Sequence, residues 1–172
     1  RGDRALGLLL RNGTEALYLL APLLGDPAMR KGPAGSRFFR LAREVGGPAA
    51  VPCIGRLLPE IAPADQEEAY RLLARIGGEA AIALLLEGLA SGGRKTRLLI
   101  LPLLSSFDRP EVLSALVEIA STADFLRRNY EERVQSLQAL EKIGNPVSLP
   151  HLKRIAEGRG RFGLPDDRRV QT

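Results

Sequence analysis

An all-α fold of stacked helical hairpins is what this sequence predicts, and three observations carry it. The first is the kind of hydrophobe. Apolar residues make up 45% of the chain, yet aromatics only 5%, with no Trp. Leu, Ala and Ile supply most of the rest; Leu and Ala favour helices, whereas an all-β core calls for β-branched and aromatic residues. The second is a motif that returns about every 31 to 36 residues, which is a helical-repeat period. The third is the punctuation of that motif by Gly and Pro at fixed places.

The motif is visible in three stretches. Residues 41–58 read LAREVGGPAAVPCIGRLL, residues 72–89 read LLARIGGEAAIALLLEGL, and residues 139–156 read ALEKIGNPVSLPHLKRIA. Val45, Ile76 and Ile143 serve as anchors and are followed by Gly46-Gly47, Gly77-Gly78 and Gly144-Asn145. Six residues past the anchor stand Val51, Ile82 and Leu149; nine past stand Ile54, Leu85 and Leu152; thirteen past stand Leu58, Leu89 and Ala156. A fourth copy anchors on Phe107, with Leu113, Leu116 and Ala120, and a weaker first copy on Arg11, with Leu17, Leu20 and Leu24.

Each unit reads as two helices. The first ends at the anchor, and Gly follows because the position after a helix favours a left-handed backbone. Pro48, Pro110 and Pro146 lie three past their anchors, at the start of the second helix, where a missing N–H does no harm. Offsets of six, nine and thirteen share one helical face. On the preceding helix Leu41, Leu72, Leu103 and Ala139 lie four before the anchor, and Ala42, Leu73, Leu104 and Leu140 three before it. A hairpin with one apolar face per helix cannot bury that face alone; stacked neighbours make a continuous core.

These units resemble HEAT-like repeats of the short bacterial type, similar to those of phycobilisome-lyase-like proteins. The resemblance rests on Ala139 to Pro146 with Leu149 and Leu152, and on Leu73 to Ala81. It implies a right-handed α-solenoid, an armadillo/HEAT-type superhelix of about five hairpins over residues 1–158, with repeats at about 1–26, 27–60, 61–91, 92–121 and 122–158. The Trp and Tyr landmarks of tetratricopeptide repeats and the Thr-Pro-Leu-His signature of ankyrin are missing.

Three stretches depart from the pattern. Asp26 to Ser36, rich in Pro and Gly, reads as an exposed loop. Asp124 to Ile143 reads as one extended helix. Residues 159–172 are charged and poor in apolar side chains, a flexible basic tail or linker. Leu17 to Leu24 and Leu98 to Leu104 are apolar almost all round; the latter reads as a helix covered on both sides. The chain opens on Arg1 without Met, so a cut within a longer protein is expected. An apolar patch at that end would then invite self-association.

The residues that chemistry needs are scarce. His151 is the only His and Cys53 the only Cys, three repeats apart, which rules out a Cys–His dyad. A zinc site needs about four N or S ligands. The Gly pairs fall at helix ends rather than in a phosphate cradle. Glu131-Glu132 and Asp166-Asp167 read as solvated charges, since adjacent residues do not converge on a helix. No catalytic, cofactor-binding or metal residue is therefore expected, and no enzyme. One Cys fits a reducing compartment, hence a cytoplasmic protein. No apolar run is long enough to span a membrane.

What remains is surface. If six, nine and thirteen face the core, seven and eleven should tilt outward into the groove that second helices line in such solenoids. Seven reads Tyr18, Pro52, Ala83, Ser114, Pro150; eleven reads Pro22, Arg56, Glu87, Glu118, Arg154. Arg and Tyr favour interfaces, so Tyr18, Arg56, Glu87, Glu118 and Arg154 are the candidate partner-binding residues, and another protein is the expected partner. The expected role is a scaffold, as a regulatory or adaptor segment of a larger bacterial cytosolic protein. The alternative is nucleic-acid binding. The net charge is +5 at a pI near 9.9, and Arg37, Arg40, Arg43, Arg71 and Arg75 form a candidate anion-binding stripe on the first helices, continued by Arg94, Arg97, Arg127, Arg128 and Arg133. Acidic residues interspersed among them favour salt bridging. A lyase-like or chaperone-like role is a third reading, implied only by the family resemblance.

Overall fold

The computed structural model describes residues 13–19, 21–30, 32–122 and 129–157, and these form helices and turns with no strand among them. The chain divides into two compact units, Arg1–Leu85 and Leu86–Thr172. In chain order the first holds α1 (residues 13–19), a 3-10 turn at Ala21–Gly25, α2 (Pro27–Arg30), α3 (Gly32–Val45), α4 (Ala50–Leu57) and α5 (Pro63–Ile76). The helix α6 (Gly78–Ser91) begins in the first unit and ends in the second. The second unit continues with α7 (Arg94–Leu104), α8 (Pro110–Ala120), α9 (Tyr130–Ile143), a 3-10 turn at Pro146–Ser148 and α10 (Leu149–Ala156). Among the described residues no helix is long and apolar enough to cross a membrane.

The anchors Val45, Ile76 and Ile143 end their helices as the sequence requires, whereas α7 ends at Leu104, three residues before Phe107. Gly46, Gly77 and Gly144 have φ of 62°, 69° and 66°, a region costly for any residue with a Cβ. Their N–H groups donate to the carbonyls of Ala42, Leu73 and Leu140 at 2.9, 2.9 and 3.1 Å, which satisfies a carbonyl the helix end would otherwise leave open. Pro63 and Pro110 open α5 and α8.

In the first unit, α4 packs against α3, α5 and the 3-10 turn. The Cys53 thiol donates to the Leu17 carbonyl at 3.9 Å, and Leu84 of α6 lies so close to Gly55 that a Cβ there would come within 3.0 Å of its methyl groups. Val51, Ile54, Leu58, Ile82 and Leu85 are buried, with Leu41, Ala42, Leu72 and Leu73 from the first helices. In the second unit α9 packs on α7 and α8, and α10 on α8. Leu113, Leu116 and Ala120 are buried, as are Leu104, Ala139 and Leu140. The helix α7 buries Ile100, Leu101 and Leu104, leaves Leu98, Leu99 and Leu103 half-buried and turns Pro102 to solvent. It is covered on one side and half covered elsewhere, not on both sides.

Four further expectations are corrected. Asp26 to Ser36 is not a loop: Asp26 Oδ1 accepts the Ala28 N–H at 2.9 Å, α2 follows, and residues 32–36 open α3. Pro33 is tolerated in a first helical turn, and Gly35 is needed because a Cβ would collide with the Arg30 carbonyl. The helix before Ile143 starts at Tyr130, since Asn129 has non-helical angles; the remainder of the expected extension lies outside the described residues, as do the tail at 159–172, the Arg11 anchor and Leu20.

The third correction is the last repeat. Leu149 is 51% exposed, Leu152 is half-buried and Ala156 is exposed, while Ser148 and Ile155 are buried. The buried stripe has narrowed to its earlier edge, offsets five and twelve, which α4 also buries as Ala50 and Leu57. The 3-10 turn explains the direction. Each 3-10 residue turns about 120° instead of about 100°, so three of them advance the chain by about 60° more than α-helix would.

The fourth concerns charge. Arg133, read as part of a basic surface, has no exposed area; its Nε donates to the Ala120 carbonyl at the end of α8, at 3.2 Å. Glu132, read as solvated, is 5% exposed, and its Oε1 accepts from Arg97 Nε and Nη2 at 3.1 and 3.0 Å. Both charges enter the interior because α9 is flanked by α7 and α8 and has little surface to give them.

Candidate functional site

The outward positions are outward. Tyr18, Pro52, Ala83, Ser114 and Pro150 at seven, and Pro22, Arg56, Glu87, Glu118 and Arg154 at eleven, are all exposed. In the same helices the position five past the anchor is buried in every copy, as Ala16, Ala50, Ala81, Val112 and Ser148. Within each unit the second helices therefore expose the same offsets and bury the same inner position.

In the first unit, Tyr18 is 65% exposed beside Leu19 at 77%, while Leu17 and Leu24 are buried. Arg56 follows one turn after Cys53. Burial pushes the Cys53 thiol above its ordinary range, and the Arg56 charge opposes this more weakly. A buried, protonated thiol is a poor nucleophile.

In the second unit a cavity of about 590 Å³ opens between α8 and α10. One wall carries Asp108, Ser114 and Glu118; the other carries His151 and Arg154. Leu113, Val117 and Val147 supply apolar surface between them. The rim is tied by Asn145, whose Nδ2 donates to Asp108 Oδ1 at 2.6 Å and whose Oδ1 accepts the Val147 N–H at 2.9 Å. Of the five candidate partner-binding residues this cavity gathers Glu118 and Arg154; Tyr18, Arg56 and Glu87 do not line it.

No protein-family model, no curated protein and no solved structure matches the chain.

Asp108, Asn145 and His151 are among the cavity residues that sequence reasoning did not propose as binders. They fall one, two and eight residues past their anchors, offsets at which the other copies carry unlike residues, so no pattern marked them. Among the described residues no group of His, Cys, Asp and Glu is placed to hold a metal ion.

The arginine stripe is laced with acids. Arg40 pairs with Glu44 at 3.0 Å, Arg43 with Glu68 at 3.1 Å, and Arg71 with Glu67 at 2.6 Å. Arg94 pairs with Glu131 at 2.9 Å in the second unit. Arg37 and Arg75 are exposed. Such surface pairs contribute roughly 0–1 kcal/mol each; their consequence here is that most of the stripe's positive charge is met by a neighbouring carboxylate.

Proposed function

We propose that this chain is a protein–protein interaction scaffold, an α-solenoid of HEAT-like repeats serving as a regulatory or adaptor segment of a larger cytosolic bacterial protein. The observation that carries this is the shared register of the second helices: buried at five, exposed at seven and eleven, in every copy. Equivalent outward positions repeated from helix to helix offer side chains that can vary without disturbing the fold, as binding surfaces of repeat proteins do. Helix-to-helix packing of α4 on its neighbours, and of α8 with α10, is the kind of contact that stacked hairpins make. The cavity between α8 and α10 opens on that face, with Asp108, Glu118 and Arg154 as its charged lining residues. The paired arginines of α3 and α5 favour a protein over a nucleic-acid backbone.

The test is affinity capture from native lysate with the chain as bait, with and without nuclease, repeated with Arg154→Glu. Proteins retained after nuclease and lost with Arg154→Glu are expected. Capture that disappears with nuclease and survives Arg154→Glu would replace this function with nucleic-acid binding through the arginines.

A further inference from the structure

Resting on the scaffold function, the charge pattern of the cavity between α8 and α10 says more about its occupant. Its two walls differ in what they still need. On the α8 side Asp108 already accepts from Asn145 at 2.6 Å, and Glu118 already holds a polar interaction. On the α10 side neither His151 nor Arg154 forms a hydrogen bond or ion pair among the described residues. They stand three residues apart on one helix, so both reach the same side of the opening. Arg154 is exposed and open to an anionic group. Between the walls lies apolar surface, Leu113 and Val117 on one side and Val147, 68% exposed, on the other.

We infer that this cavity docks an acidic–apolar peptide segment of a partner protein, with a carboxylate at Arg154 and His151 and an adjacent aliphatic side chain against Leu113, Val117 and Val147. The volume of about 590 Å³ lies within the roughly 300–1,000 Å³ of sites that enclose a ligand of a few residues. A planar guanidinium suits a carboxylate because its N–H groups match both oxygens. A nucleic-acid strand fits less well, because the cavity lining has no Phe, Tyr or Trp ring on which a base could stack.

The experiment is a titration of the isotope-labelled chain, followed by its amide resonances. The probes are a short blocked peptide of alternating leucine and glutamate, its leucine–glutamine counterpart, and oligothymidylate. Saturable shifts confined to α8, α10 and the Asn145 turn are expected with the glutamate peptide. Binding should weaken about tenfold or more with the glutamine peptide and with Arg154→Glu, the loss of one charge-assisted contact; His151→Ala should weaken it less. Circular dichroism unchanged in both variants excludes unfolding as the cause. Equal affinity for the two peptides, or undiminished affinity in Arg154→Glu, would overturn the inference, as would oligothymidylate shifting these amides in preference to the peptide. If lysate capture depends on Arg154 while the two peptides bind alike, the scaffold function stands and the acidic–apolar occupant falls. If the glutamate peptide binds as expected but no protein is captured, the reverse holds.

Discussion

The helices α4 and α10 occupy the same place in their repeats, each the second helix of a hairpin closed by a left-handed glycine, yet they bury different positions. In α4 and the turn after it, Val51, Ile54 and Leu58 are inside, at the offsets the repeat pattern assigns. In α10 those offsets hold Leu149, Leu152 and Ala156, which are exposed or half-buried, and only Ser148 and Ile155 are inside, the equivalents of Ala50 and Leu57, which α4 buries as well. The approach to each helix differs. Gly47 at φ 68° leads toward α4 through a turn, whereas Asn145 starts a 3-10 turn by accepting the Val147 N–H. A repeat pattern defines which residues are apolar; the turn before a helix sets how far that helix is rotated when it meets its neighbours. In this orientation His151 and Arg154 reach the cavity wall.

The largest contrast should come from placing one carboxylate at matched sites. Ile54 has no exposed area, so Ile54→Asp buries an uncompensated polar group at a cost of several kcal/mol. That is comparable to a domain's whole stability of roughly 5–15 kcal/mol, and loss of the cooperative thermal transition in circular dichroism is expected. The matched Leu152→Asp should leave a folded chain, since Leu152 is half-buried and its carboxylate can reach water. Unfolding by both variants would mean that α10 is as enclosed as α4.

A second pair tests the rotation itself. Ile155→Ala should cost about 2–4 kcal/mol in urea unfolding, the usual range for truncating a buried aliphatic side chain. Leu149→Ala should stay within about 0.5 kcal/mol, as surface substitutions do. The opposite order would restore the register of the repeat pattern and remove the 3-10 offset.

Much of this architecture is legible in the sequence, and the illegible parts share a cause. The left-handed caps at Gly46, Gly77 and Gly144 could be read because few residues tolerate that backbone. The outward positions seven and eleven could be read because helical periodicity places them once six and nine are inside. Position five was missed: Ala16, Ala50, Ala81 and Ser148 are small enough to sit on either face, and only the packing shows that they are inside. The same ambiguity hid Glu132 and Arg133, since charged residues read as surface until a partner across the helix layer is known. Gly32 to Ser36 read as a loop because Pro and Gly oppose helices in general but not in a first turn or beneath a close carbonyl. The cavity is the least legible feature. Glu118 and Arg154 follow from one offset in successive repeats, but Asp108, Asn145 and His151 join them only through the turn geometry.

The smallest expected effect lies in that turn. The Asn145 side chain accepts from the Val147 N–H at 2.9 Å and donates to Asp108 at 2.6 Å. Both are surface bonds that water can partly replace, so Asn145→Ala should cost about 1 kcal/mol in urea unfolding. The backbone at this position is extended, with φ −74° and ψ 123°, so no left-handed strain enters the comparison and the loss reports on the two bonds alone. A loss of that size with amide resonances displaced in α10 would tie the helix's rotation to the Asx turn. A loss of that size with α10 resonances unmoved would place the origin of the rotation in Pro146 and the packing of Ser148 and Ile155, leaving Asn145 as a tether for Asp108 at the cavity rim.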